Sequence, residues 1–279
     1  MPKHLAIIEG NHEQLVTHNA DGHIFGAAEG FAACLSKLDE TLSFTIYRPH
    51  FTDFTFQDDM FDKIDGVIFT GSAVNWSADD HQAKPARDVM MHALKCQKPI
   101  FGSCYGMQLA VTVLGGQNRA HKQATEFAIA RDITINEAGL NHPLYQGKPP
   151  IFDAKCMHRD EAAHLPSGAL CLSSNEHSHY QSMVYETESE KLWAVQYHPE
   201  LTFSEIASYI RRNDVESFSD VRRFAENLKL DVDKEEMLSD FERLDKTADS
   251  HLRARYRLDN SMDDENHCRE LLNFLAQIK

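Results

Sequence analysis

A cysteine set between two glycines is the residue in this sequence best suited to nucleophilic chemistry. The segment Gly102-Ser103-Cys104-Tyr105-Gly106 lies between a short apolar run and a helical pattern. A nucleophile on a tight strand-to-helix turn needs small neighbours, and a helix N-terminus favours thiolate over thiol. A structural cysteine in a glycine-rich turn fits the same segment, so Cys104 is at this point a candidate nucleophile.

A histidine and a glutamate at the end of another apolar run could activate this cysteine. They lie in Val195-Gln196-Tyr197-His198-Pro199-Glu200. Here His198 can serve as the base and Glu200 can fix its tautomer and orientation. Alone, a His-x-Glu pair also fits a surface loop. Together with Cys104 it predicts nucleophile, base and orienting carboxylate in the order Cys, His, Glu.

Acyl transfer also needs amide donors for the negative charge that develops on the carbonyl oxygen. The amide of Tyr105, directly after the cysteine, is one natural donor. The amide of Gly71, in Thr70-Gly71-Ser72 at the end of a third apolar run, is a natural second donor. A plain turn between strand and helix is the alternative interpretation of Gly71.

The elements that must position these residues alternate between strand and helix in the first half of the chain. Short apolar runs predict strands, and apolar residues at helical spacing predict helices. The strands are expected at 4–8, 44–47, 67–69 and 99–102, and the helices at 26–38, 84–95 and 105–114. This alternation predicts a parallel sheet with helices on both faces.

The second half is richer in strands and then becomes helical. Strands are expected at 127–135, 151–157, 169–173, 181–186 and 192–197, as an antiparallel addition to the same sheet. From about residue 204 the pattern is helical and acidic. We therefore expect an α/β domain over 1–211 and a helical extension over 212–279. Whether the extension packs on the core or stands apart stays open.

Composition narrows the class of protein. The 279 residues carry a formal net charge of −15, which disfavours binding to nucleic acid or anionic membrane. The acidic run from Glu226 to Asp245 is expected to be a solvated helical face. Six scattered cysteines and an N-terminus unlike a signal peptide favour a reduced, cytoplasmic protein. No apolar stretch is long enough to span a bilayer.

Several motifs together resemble the class I, triad-type glutamine amidotransferases. They are GSCYGMQLA, FTGS and VQYHPE. The segments 157–161, 165–169 and 173–176 further resemble the stand-alone branch close to the GMP synthase glutaminase domain. The resemblance covers roughly residues 3–210 and implies a flavodoxin-like fold with a mostly parallel sheet.

The resemblance implies a specific chemistry. Cys104 attacks the side-chain amide of glutamine and forms a γ-glutamyl thioester. His198, held by Glu200, protonates the departing ammonia and then activates water. The amides of Gly71 and Tyr105 hold the oxyanion. No cofactor is implied.

The same resemblance assigns substrate contacts to Gln108 and to the backbone near Tyr180. Two segments depart from the family pattern. Glu126-Phe127-Ala128 stands where EFG is common, and the loop Asn175–Gln181 is bulkier than the usual small residues and proline. Such a loop suggests a substrate larger than glutamine.

Sixteen histidines invite a metal hypothesis. His177 and His179, joined by His158 or His164, could offer ligands, but their spacing matches no zinc motif. We therefore expect no functional metal.

Three functions stay open at this level. The chain could hydrolyse free glutamine or a γ-glutamyl conjugate as a free-standing enzyme. It could instead pass ammonia to a synthetase on a separate chain, since no phosphate-binding glycine-rich loop follows residue 211. It could also be a regulatory protein without turnover, although such a relative would be expected to have lost one of the three triad residues.

Overall fold

The computed structural model describes residues 2–16, 26–122, 125–212, 214–247 and 249–278. Eleven strands lie in these residues: β1 (His4–Ile8), β2 (Ser43–Tyr47), β3 (Gly66–Phe69), β4 (Ile100–Ser103), β5 (Gln117–Ala120), β6 (Glu126–Ile135), β7 (Ile151–His158), β8 (Asp160–His164), β9 (Leu170–Ser174), β10 (Ser182–Glu186) and β11 (Lys191–Val195).

Ten α-helices accompany them in the same residues: α1 (Ala27–Leu38), α2 (Lys84–Lys95), α3 (Tyr105–Val113), α4 (Glu137–Leu140), α5 (Phe203–Arg212), α6 (Asp214–Leu228), α7 (Lys234–Leu244), α8 (Ser250–Arg255), α9 (Asp264–His267) and α10 (Arg269–Gln277). Among the described helices, none is long and apolar enough to cross a bilayer.

Nine strands form one sheet in the order β2-β1-β3-β4-β11-β10-β9-β6-β7. The five from β2 to β11 are parallel, and the pairs from β11 to β7 are antiparallel. The predicted α/β class, with antiparallel strands added to a parallel sheet, is confirmed. Because β3, β4 and β11 are neighbours and parallel, their carboxyl ends meet at one edge.

Alternating residues of these strands bury opposite faces of the sheet. Leu5 and Ile7 of β1 face a cluster that includes Phe31 of α1. Ala6 and Ile8 face a second cluster that includes helices α2 and α3. The sheet is therefore covered on both sides, as the continuous apolar runs of the parallel strands require.

The C-terminal helices pack on this sheet. Phe274 of α10 lies against Phe101 of β4 and Trp193 of β11, with ring centroids 5.5 and 6.2 Å apart. Helices α5 to α8 bury a third cluster against β6. Helices from 212–279 therefore contribute directly to the core. The sequence had left open whether this segment packs on the core or stands apart.

Two features differ from the sequence-based expectation. Strands β5 and β8 form a small antiparallel sheet that the sequence did not predict, because β5 is polar and has no apolar alternation. The acidic run is not solvated throughout. Asp240 is buried and accepts hydrogen bonds from Arg255 and Tyr256, which satisfy its charge.

Candidate active site

Cys104 lies at the junction of β4 and α3 in a strained backbone conformation. Its φ is +50° and its ψ is −101°, values that non-glycine residues rarely adopt. The Cys104 amide donates to Val195 O at 2.8 Å, which ties the turn to β11. A Cβ on Gly106 would lie 2.4 Å from Phe69 O, and one on Gly102 would lie 2.8 Å from the Gly106 carbonyl carbon. Close backbone approach therefore explains both glycines of the motif.

His198 and Glu200 leave the end of β11 beside this turn. Nδ1 of His198 donates to Oε1 of Glu200 at 2.7 Å, and both side chains are buried. The His198 amide donates to Lys155 O at 2.8 Å. The Ser103 hydroxyl donates to Glu200, with Oγ 2.9 Å from Oε2. The imidazole is therefore fixed in one orientation, with Nε2 left for another partner.

The charge state of His198 follows from these neighbours. Burial alone would lower its pKa, but the negative charges of Glu200 and Cys104, with hydrogen bonds to both, raise the pKa to about 10. An imidazolium is thus favoured at neutral pH. A protonated histidine held by a carboxylate beside Cys104 can donate a proton to a leaving group.

The Cys104 sulfur has two further polar neighbours. The side-chain amide of Gln196 lies with Nε2 3.6 Å from Sγ, and Met157 O lies 3.9 Å away. Gln108, one turn along α3, places Nε2 2.8 Å from Asp160 O and 3.5 Å from Gln196 Oε1. The amide nitrogen of Gln108 therefore donates to two protein acceptors. This predicted substrate contact belongs to a hydrogen-bond network that reaches the sulfur through Gln196.

The predicted oxyanion donor Gly71 faces the imidazole. A Cβ on Gly71 would lie 2.5 Å from Cε1 of His198, so only glycine fits here. The loop is held by Asn11, whose Oδ1 accepts from the Ala73 amide at 2.8 Å and from Ser72 Oγ at 3.2 Å. Asn11 in turn donates to the buried Glu9 at 2.9 Å. These contacts fix the position of the Gly71 backbone.

A buried carboxylate, Glu126, organises the neighbouring loop Asn175–Gln181. It accepts hydrogen bonds from His158 Nε2 at 2.8 Å, Asn175 Nδ2 at 2.6 Å and Gln181 Nε2 at 2.7 Å. Burial alone would raise the pKa of Glu126, but the hydrogen bonds from His158 and Asn175, with the charge of His158, lower it. Both ends of the loop are thereby anchored to β6.

The ring-bearing side chains of the loop make contacts with other rings. His177 stacks on His121 with ring centroids 3.9 Å apart, and His179 meets the ring of Tyr180 edge-on at 4.7 Å. Tyr180, a predicted substrate contact, is partly exposed and packs against the cluster under α3. No contact joining Tyr180 to the Cys104 sulfur occurs within the residues described here.

A cleft of about 310 Å³ opens beside this loop, between β6 and α6. His177, Glu126 and Phe127 line one wall, and Arg223 and Phe224 line the other. Phe127 pairs in register with Met157, whose carbonyl lies next to the Cys104 sulfur. One strand pair therefore borders both the sulfur and the cleft.

In the described part of the chain, no group of three or more His, Cys, Asp or Glu side chains is placed to hold a metal ion. His158 is instead committed to Glu126, and His177 to the stack with His121.

Sequence reasoning missed three residues that support the site. Ser103 holds Glu200, Gln196 reaches the sulfur, and Asn11 holds the Gly71 loop. Ser103 and Gln196 stood within the recognised motifs, directly beside Cys104 and two residues before His198. Asn11 gave no signal, since its partners lie about 60 residues away in sequence.

This geometry brings a cysteine, a histidine and a glutamate together on a doubly covered α/β sheet, and comparison with known proteins specifies the family. The model of the glutamine amidotransferase class-I family matches residues 29–217, more than half of the chain. The chain belongs to this family, as the sequence motifs predicted.

Two relatives match about half of this chain at 30% identity. A γ-glutamyl-L-1-hydroxyisopropylamide hydrolase from a Pseudomonas species is 30% identical over 156 residues, which cover 53% of this chain and 51% of the relative. The GMP synthase of Thermosipho melanesiensis is 30% identical over 141 residues, covering 50% of this chain and 26% of the relative. The aligned region thus spans about half or less of these curated relatives.

A solved structure matches over almost the whole length. The crystal structure of a glutamine amidotransferase from Thermotoga maritima aligns with a TM-score of 0.66 at 17% identity, covering 99% of both chains. At that identity the likeness concerns the fold. It extends through the C-terminal helices, because the coverage of both chains is nearly complete.

Proposed function

We propose that this protein hydrolyses a γ-glutamyl amide through a thioester on Cys104. The observation that carries the proposal is the assembly of Cys104, His198 and Glu200 at one edge of the sheet, with His198 hydrogen-bonded to Glu200. Family membership supports the same chemistry. A protein that had lost turnover would not need all three residues in this arrangement.

The reaction begins with the thiolate and the imidazolium. The Cys104 sulfur attacks the γ-carbonyl carbon, and the carbonyl π electrons move to oxygen. As the tetrahedral intermediate collapses, the C–N bond breaks and Nε2 of His198 gives its proton to the departing nitrogen. Ammonia or an amine leaves, and a γ-glutamyl thioester remains on Cys104.

Hydrolysis of the thioester uses the now neutral His198 as a base. It takes a proton from water, the hydroxide oxygen attacks the thioester carbon, and the C–S bond breaks to release glutamate. Glu200 stabilises the imidazolium that forms again, without taking the proton itself. Ser103 keeps the Glu200 carboxylate in place through its hydroxyl.

Two backbone amides would stabilise the oxyanion in both steps. Tyr105 opens α3, and the first amides of a helix have no acceptor within the helix. Gly71 lies next to the imidazole on the facing strand end. Two amide donors that converge on one oxygen are what the oxyanion of a tetrahedral intermediate requires.

The substrate we favour is a γ-glutamyl amide with a substituent on nitrogen. The loop Asn175–Gln181 places His177 at the rim of the 310 Å³ cleft, which offers room and polar groups beyond a glutamine side chain. The Pseudomonas relative, by its name, hydrolyses such a substituted amide. Gln108 and Tyr180 remain proposed contacts for the amino-acid end.

A second candidate follows from the GMP synthase relative. In it, this chain would be a glutaminase subunit that passes ammonia to a separate synthetase. A cytoplasmic location fits both candidates. We further propose that residues 1–211 form the amidotransferase unit, with 212–279 as its extension.

Glutamate release from purified protein tests the proposal. The substrates are free glutamine and a γ-glutamyl alkylamide, each assayed with and without cell lysate. We expect turnover of the alkylamide that is lost by at least about a thousandfold in Cys104→Ala. Free glutamine alone should be a weak substrate, and stimulation by lysate with glutamine would favour the synthetase candidate.

A γ-glutamyl electrophile provides an independent measurement. It should label the native protein at Cys104 and spare the other cysteines. Even labelling of Cys34, Cys96 and Cys268 would reject the assignment of the nucleophile. A kcat/KM on free glutamine of about 10⁴ M⁻¹s⁻¹ or more, with no gain from any conjugate, would reject the substrate preference.

A further inference from the structure

Two cysteines outside the candidate active site lie side by side although they are 234 residues apart in sequence. Cys34 is on α1, and Cys268 is the residue before α10. Their sulfurs are 3.9 Å apart, and both side chains are partly exposed. A disulfide needs about 2.05 Å between sulfurs. The two sulfurs must therefore approach by about 2 Å for the bond to form.

The neighbours of Cys268 hold the segment that carries His198 and Glu200. His267 donates from Nε2 to Leu201 O at 3.2 Å. Glu270 accepts from the Tyr197 hydroxyl and pairs with Lys148 at 2.9 Å, with both charged side chains fully buried. Residues on either side of Cys268 therefore contact both ends of the catalytic segment.

Cys34 lies on the other side of the same junction. Helix α1 approaches the start of α5 so closely that a Cβ on Gly30 would lie 2.8 Å from Oε1 of Glu205. The charges of Glu200 and Glu205 both act on the Cys34 thiol. A covalent bond between Cys34 and Cys268 would thus join the amidotransferase unit to its extension directly behind the catalytic segment.

We propose that Cys34 and Cys268 form an oxidation site, closed to a disulfide by a hydroperoxide and reopened by thiols. This site is separate from Cys104 and does not depend on the proposed function. It gives the C-terminal extension a role, because the disulfide fastens that extension to the core.

The order of the chemistry follows from the surroundings of the two thiols. The hydrogen bond with Cys268, and then burial, raise the pKa of Cys34, so Cys34 keeps its proton. Because Cys34 keeps its proton, we assign the first reaction with the peroxide to Cys268, at the N-cap position of α10.

The electrons balance in two steps. The Cys268 thiolate attacks one peroxide oxygen, the O–O bond breaks, and hydroxide leaves as water after taking a proton, so Cys268 becomes a sulfenic acid. Cys34 then attacks that sulfur, the S–S bond forms, the S–O bond breaks, and a second water leaves. The two thiols lose two electrons and the peroxide gains two.

The test uses the full chain treated with hydrogen peroxide and digested without reduction. We expect a linked peptide containing Cys34 and Cys268 that disappears on reduction with dithiothreitol. The oxidised protein should unfold at a Tm higher by roughly 5–10 °C, because the bond closes most of the chain into a loop. Cys34→Ser and Cys268→Ser should each lose both effects.

Cys171→Ser is the matched control, because Cys171 is also partly exposed and its sulfur lies 3.4 Å from Ser173 O. This variant should form the linked peptide and gain the same Tm. Peroxide treatment that gives separate sulfinic acids at Cys34 and Cys268, a link to another cysteine, or a dimer between chains would overturn the proposal.

Discussion

The strand ends that hold Cys104 and the loop Asn175–Gln181 are adjacent parts of the molecule but are built differently. At the strand ends, glycines and backbone contacts leave no room for another side chain, as at Gly71 and Gly106. In the loop, side-chain hydrogen bonds to Glu126 hold the two ends, and the Ser178 hydroxyl donates to Glu161 at 2.8 Å. His177 stacks on His121 at the rim of a cleft, and the side chain of His179 is exposed.

This difference separates the groups that would cleave the bond from the groups that would select the substrate. Bond cleavage requires groups fixed to within a fraction of an ångström, which close backbone packing and buried hydrogen bonds supply. Substrate choice requires a surface whose side chains can change without disturbing those groups. We therefore expect substitutions at the strand ends to reduce turnover of every substrate, and substitutions in the loop to change the ratio between substrates.

The largest effect is expected at His198. His198→Ala removes both the acid and the base, so kcat/KM should fall by about a thousandfold or more on any substrate. Glu200→Gln should cost less, because Glu200 orients and stabilises the imidazolium without transferring protons. Steady-state glutamate release measures both.

His164→Ala, an exposed histidine at the end of β8, serves as the control and should leave turnover unchanged. Native activity in Glu200→Gln would remove Glu200 from the mechanism. Loss of activity on one substrate alone would contradict the separation between the two regions.

Gly71→Ala comes next in size. The added Cβ would lie 2.5 Å from His198 Cε1, so the imidazole or the strand end must shift. We expect kcat to fall by about a hundredfold on glutamine and on γ-glutamyl amides alike, as when an oxyanion donor is lost. Kinetics together with thermal unfolding would distinguish this from misfolding. Native kcat in a folded Gly71→Ala variant would disprove the assigned role.

The pH profile should show an alkaline limb set by His198. Because the pKa of His198 is raised to about 10, the imidazole stays protonated below that pH. The value of kcat/KM should therefore fall as pH rises through about 10. Glu200→Gln removes the carboxylate charge that raises this pKa, and the limb should move to lower pH. The measurement is a pH–rate series on the native protein and the variant.

The pH–rate series needs a control for unfolding at high pH. A histidine whose pKa is raised on folding contributes stability below its unfolded pKa, and this stability is lost as pH rises through the folded value. Protein held at each pH and then assayed at pH 8 should recover its activity. An identical limb in the native protein and Glu200→Gln would show that another group titrates.

The smallest effect is expected in the loop. His177→Ala should change the ratio of kcat/KM between a γ-glutamyl alkylamide and glutamine by roughly three- to tenfold, without a general loss of turnover. The physical reason is that His177 lines the cleft and leaves the Cys104 turn untouched. His251→Ala, an exposed histidine on α8, is the control. An equal fall on both substrates would place His177 with the catalytic residues instead.

The sequence by itself determined the parts that depend on local pattern. Short apolar runs gave most of the strands of the main sheet to within about two residues, because burial on both faces requires continuous apolar residues. The glycines around Cys104 and the spacing of His198 and Glu200 identified the candidate triad. Each of these signals is contained within a few consecutive residues.

Tertiary structure alone decided which distant polar groups meet. The contacts of Asn11 with the Gly71 loop, and the approach of Cys34 to Cys268, join residues about 60 and 234 positions apart. Strand β5 exists only through its pairing with β8. Hydrogen bonds and thiol contacts of this kind have no periodic signature in a sequence, since they depend on how whole elements pack rather than on the residues beside them.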